Sequence, residues 1–177
     1  MSKSKSQANN EKSRKRHTLT RSDLLPMTEA RFRAVSLRHH LALAAMRAGA
    51  GSMDLAGELL KATYLAYFIG GFDADSHVLE ACVAAELTIK ASIAHAKMAD
   101  EWYLDTKHAH YVEKMLCLHD AQLAKLPAGE VNAAARRLSQ LVDDGGMPDL
   151  AARYVRVLRQ RAEAPKVEST EEDVALA

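Results

Sequence analysis

Two histidine-carboxylate spacings suggest chemistry. In Lys107-His108-Ala109-His110-Tyr111-Val112-Glu113, His110 and Glu113 stand three residues apart, and His77-Val78-Leu79-Glu80 repeats that H-x-x-E spacing. Residues three apart share one helix face, so each pair would present an imidazole and a carboxylate to a metal ion or a proton. Di-iron bundles use the reverse order, Glu-x-x-His, with a further Glu from each of two other helices, which Glu58 and Glu86 would supply on paper. With 8 histidines, about 0.5 such spacings arise by chance, so the motif alone selects no metal. His110 also lies off the apolar stripe of its helix, whereas His108 lies on it and reads as a hydrogen-bonded core histidine. Glu86 reads as half of a surface pair with Lys90, four residues on. Of His39-His40, the first falls on an apolar stripe and the second points to solvent. No metal and no cofactor is expected.

Other catalytic signatures fail. Gly49-Ala50-Gly51-Ser52-Met53-Asp54 begins like a phosphate-cradling G-x-G-x-x-G but lacks the third glycine and follows a helix instead of a strand. Nothing orders a nucleophile, a base and an orienting group, so the chain does not read as an enzyme.

Basic residues form the remaining candidates. Arg14, Lys15 and Arg16 sit in an N-terminal segment whose charge could bind a phosphate backbone by counterion release, or could simply keep the chain soluble. Near the other end, Leu150, Tyr154, Val157 and Leu158 mark one helix face, and Arg153, Arg156 and Arg159 mark the opposite one. If the segments Glu130 to Asp144 and Pro148 to Ala162 form a helix-turn-helix across Gly145-Gly146-Met147-Pro148, these arginines face phosphates or guanine edges. The alternative is a helical hairpin with a solvated arginine face.

The elements that must position these residues are helical throughout. Phe32, Val35, His39, Ala42, Leu43 and Met46 recur at spacings of three and four, and glycine at 49 and 51 stops that helix. Ser52 caps the next, with Leu55, Leu59, Ala62, Ala66 and Ile69 on its face. A third begins near Asp75 and carries two apolar stripes, Val78, Cys82, Ala85, Ile89, Ile93, Ala96 and Val83, Leu87, Ala94, Met98, which predicts a central place in the bundle. Leu104, His108, Tyr111, Met115, Leu118 and Gln122 mark a fourth segment. No Gly or Pro divides it from the third, so one long helix over 75–126 and a bend near Asp100 both stay open. Val131, Ala134, Ala135, Leu138, Leu141 and Val142 mark the helix that follows.

The chain thus reads as an all-α protein, a single bundle of five to six helices over 22–162. Flanking it are a basic segment, 1–21, of charge +6 and an acidic one, 163–177, of charge −4, both expected to be disordered tails. Hydrophobic residues make up 48% of the 177, enough for a real core. Cys82 and Cys117 form no C-x-x-C pair and read as buried, reduced thiols in a cytosolic protein. No secretory leader is read at the N-terminus, and the apolar run from Ala62 to Phe72 is too short to span a bilayer, so no membrane partner is expected.

These features describe a small cytosolic regulatory or accessory protein that acts by binding, with nucleic acid as the leading partner. The alternative is a helical protein-interaction module or homo-oligomer, for which the cluster Tyr64, Tyr67, Phe68 and Phe72 would supply exposed apolar surface.

Overall fold

The structure, a computed structural model, describes residues 20–70, 76–146 and 148–163. After a short 3-10 turn, Arg21–Leu24, come six helices: α1 Glu29–Arg47, α2 Met53–Gly70, α3 Ser76–Ala99, α4 Thr106–Lys125, α5 Ala128–Asp143 and α6 Leu150–Glu163. Among the described residues there is no strand, only an isolated bridge between Pro26 and Pro127. The all-α bundle expected from the sequence is the fold found. Arg14, Lys15, Arg16 and almost all of both charged end segments lie outside the described residues; Arg21 belongs to the opening turn and Glu163 to α6.

Local signals set the helix ends. Thr28 caps α1 by accepting the Arg31 amide, and Ser52 caps α2 by accepting that of Leu55. Between them Gly49 takes φ +74°, the left-handed conformation that glycine adopts without cost. Gly51 has a different duty, because a Cβ there would lie 2.6 Å from the Trp102 carbonyl oxygen and 2.5 Å from the Met46 sulfur. The phosphate-like glycine cluster is a close-packed corner.

The third and fourth segments are two helices, broken at Asp100, which takes φ 55°. Aspartate tolerates that region better than most residues, so the chain turns without a glycine. Asp105 restarts the helix by accepting the Lys107 amide at 2.9 Å. The intervening strap is tied to the α1–α2 corner, where the Gly51 amide donates to Trp102 O and the Leu104 amide to Met46 O.

Helix α3 has neighbours on more than one side, as its two stripes predict, and α2 has one neighbour more. Helix α2 packs on α1, α3, α4 and α5, whereas α3 packs on α2, α4 and α6. Every side chain from Ala62 to Tyr67 is buried. Two hydroxyls in that run find partners inside, that of Thr63 donating to Leu59 O and that of Tyr64 to Glu86, as buried polar groups generally do. The second stripe of α3 is partly outward, since Leu87 and Met98 are exposed.

Tyr64 and Tyr67 are core residues and Phe68 is half-buried, so the described part of this aromatic cluster is not an exposed patch; Phe72 lies outside the described residues. Cys82 is buried, its thiol pushed up to about 12 by burial and then by Glu86. Cys117, expected inside, is exposed.

Candidate functional site

The KHAHYVE stretch opens α4, one helical step out of phase with the face assigned from sequence. Ala109, Val112, Leu116, His119 and Leu123 point inward with Met115, while His108 and Tyr111 are exposed. Both line a groove of about 690 Å³ between α3, α4 and the 100–105 strap. Asp105 Oδ2 lies 3.1 Å from His108 Nδ1. The Lys107 amide, and after it the His108 contact, holds the Asp105 carboxyl below its usual range.

An imidazole held by a carboxylate can act as a base when a hydroxyl stands within reach. Here the serine and threonine hydroxyls are turned to the backbone: Ser92 Oγ donates to Tyr103 O at 2.5 Å and Thr88 Oγ1 to Ala84 O at 2.8 Å. The groove offers an oriented imidazole, tyrosine side chains and the Glu80 carboxylate.

Neither H-x-x-E pair is assembled as a metal site. His110 Nδ1 donates to Lys107 O and Glu113 pairs with Arg47 on α1, while His77 and Glu80 lie exposed on α3. Among the described residues no group of three or more His, Cys, Asp or Glu is placed to hold a metal ion.

Two buried polar groups escaped the sequence reading. Glu86 does pair with Lys90, at 2.8 Å, but is itself fully buried, accepting the Tyr64 hydroxyl at 2.8 Å and the Leu150 amide at 3.1 Å. It therefore ties α2, α3 and the start of α6 together. His119, also fully buried, faces the buried His39 at 5.5 Å between ring centroids. Burial, and then His39, takes His119 down to about 4. Burial also lowers His39. His40 is half-buried and meets Asp120 at 2.9 Å, instead of standing free in solvent.

The arginines of α6 divide. The Arg153 guanidinium sits 5.5 Å from the Tyr67 ring centroid, within cation–π range, and is half-buried. Arg156 and Arg159 are exposed. Helix α6 packs mainly on α3, whereas α5 packs on α2 and the 3-10 turn, so among the described residues the two are not closely paired as a helix-turn-helix would be.

The outer face of α1 was missed altogether. Ala30, Ala34, Leu37, Leu41, Ala44 and Ala48 are all exposed, with Leu37 at 59% and Leu41 at 58%. Their alternating spacing of four and three is the a/d register of a helix-pairing seam. The inner face, with His39, Ala42, Leu43 and Met46 buried, already holds α1 in the bundle. Sequence carried this signal, but four of the six residues are alanine, which stands out little beside the bulkier inner stripe.

Comparison with protein-family profiles, curated proteins and solved structures finds no match for this chain.

The seam is apolar, continuous along α1 and flanked by charge. The groove is mixed and open. On α6, two exposed arginines share one helix.

Proposed function

We propose that the protein is a helical interaction module that receives a partner helix on the outer face of α1. The observation that carries this reading is the a/d register of exposed Ala and Leu residues from Ala30 to Ala48 on a helix whose opposite face is already buried. An exposed apolar row in this register gains by covering itself with another helix, because burial removes about 25 cal/mol per Å² of apolar surface from water. The mixed groove and the engaged Ser92 and Thr88 hydroxyls support a binding role over a turnover role.

Affinity capture from the native cell tests this, comparing the wild type with Leu37→Lys/Leu41→Lys. A stoichiometric protein held by the wild type and lost in the variant is expected. The same proteins on both would remove the proposal.

A second reading keeps nucleic acid as the partner, with the module in a regulatory role. It draws on Arg156 and Arg159, exposed one helical turn apart on α6, together with Arg14, Lys15 and Arg16 in the sequence. Contacts of that kind are to phosphates and weaken steeply with salt. Binding to duplex DNA that is insensitive to both Arg156→Ala/Arg159→Ala and removal of 1–19 would exclude these residues.

A further inference from the structure

We infer that the helix received by α1 is an amphipathic one with acidic flanks from a different protein, and not a second copy of this chain. The inference rests on the reading of α1 as a docking face and adds the chemistry of its occupant. With Ala34, Leu41 and Ala48 at a and Ala30, Leu37 and Ala44 at d, the positions that border the seam are Arg31, Arg38 and Ala45 on one side and Arg33, His40 and Arg47 on the other. No acidic residue borders it.

Some of this charge is already engaged. Arg33 pairs with Glu29, Arg47 with Glu113 and His40 with Asp120, while Arg31 donates to Asn132. Arg31 bonds a neutral amide, and Arg38 has no carboxylate partner among the described residues, so the border stays positive.

Border charge decides which helix fits. In a parallel in-register pair of two copies, Arg33 of each meets Arg38 of the other; in an antiparallel pair, each side meets itself. Both arrangements set arginine against arginine, the repulsive pattern by which helix pairs reject a partner. Glutamates at the partner's border positions reverse the sign in either orientation. Alanine at four of the six seam positions lets two helix axes approach closely. A lipid surface is the poorer fit, because an interfacial helix gains its affinity from bulky apolar residues.

The test uses the full chain and two synthetic three-heptad peptides, both with Leu at a and d, one with Glu and the other with Lys at the border positions, followed by fluorescence anisotropy. The Glu peptide is expected to bind about tenfold more tightly at low salt than the Lys peptide, with the gap narrowing as salt rises. Arg33→Glu/Arg38→Glu should reverse the preference, and Leu37→Lys/Leu41→Lys should abolish binding of both. These four residues are exposed, and unchanged circular dichroism confirms folding; if the lysine pair unfolds the chain, Leu37→Ser/Leu41→Ser replaces it.

Equal binding of the two peptides, or tighter binding of the Lys peptide, overturns the inference. So does binding of neither peptide by a chain that sediments as a dimer dispersed by the Leu37/Leu41 variant, which leaves α1 a docking face but for a second copy. Binding only to vesicles of anionic phospholipid overturns it in favour of a membrane surface. A monomer that binds neither peptides nor vesicles removes both the inference and the docking reading beneath it.

Discussion

Glu86 accepts from Tyr64 on α2 and from the first amide of α6 while pairing with Lys90 on its own helix. Removing a buried carboxylate leaves its donors without water or partner, which costs more than the bonds themselves contributed. Glu86→Ala should lower stability by about 3 kcal/mol, read from the urea midpoint, and Glu86→Gln by less, since the amide oxygen still accepts. A loss below about 0.5 kcal/mol for Glu86→Ala would show that the three contacts do not act as described. Only the Lys90 half of this node was legible in sequence, because Tyr64 and Leu150 lie 22 and 64 residues away.

The histidine pair makes a pH prediction. His119 titrates at about 4 in the fold against 6.5 ordinarily. Between those values the unfolded chain binds a proton that the folded chain excludes, so stability falls as pH drops from 6.5 toward 4. The loss from His119 alone is about 3 kcal/mol, and the lowered His39 adds in the same direction. Melting temperatures at pH 7 and pH 4.5 for wild type and His119→Phe should show a shallower acid loss in the variant. Equal losses would place the acid sensitivity elsewhere.

At the scale of elements, sequence periodicity gave five to six helices and the cap at Ser52, which acts through a bond within three residues; the Thr28 cap, just as local, was not read. What it missed or left open depends on neighbours distant in sequence. The break at Asp100 has no glycine or proline to announce it and is held by Gly51 and Met46 from another corner. The phase of α4 was set one residue off because Ala109 and His119 weigh little as apolar, although both are buried. Similarly, α2 looked one-sided because its other faces carry Thr63, Tyr64 and Tyr67, whose burial is set by the helices around it.

Gly51 tests that corner. Alanine there drives a Cβ into the Trp102 carbonyl and the Met46 sulfur, an overpacking that costs about 1–3 kcal/mol. Gly51→Ala should lower the melting temperature and raise hydrogen exchange at Leu104, while Gly57→Ala, whose Cβ meets open space, should be neutral or stabilising. Identical behaviour of the two variants would contradict the tight corner.

For the molecule as a whole, the six helices of the described residues bury one core and leave α1 apolar on its far side. No helix among the described residues is long and apolar enough to cross a membrane. The groove that Tyr111 lines takes no residue from α1, so a probe at each can tell them apart.

The most direct measurement places a photo-crosslinking residue at Leu41, and separately at Tyr111, in the chain expressed in its native cell. The account predicts a single dominant crosslinked product from position 41, absent from position 111 and lost when Leu37→Lys is added. A product from position 111 with none from position 41 would contradict it, moving the working surface from α1 to the groove.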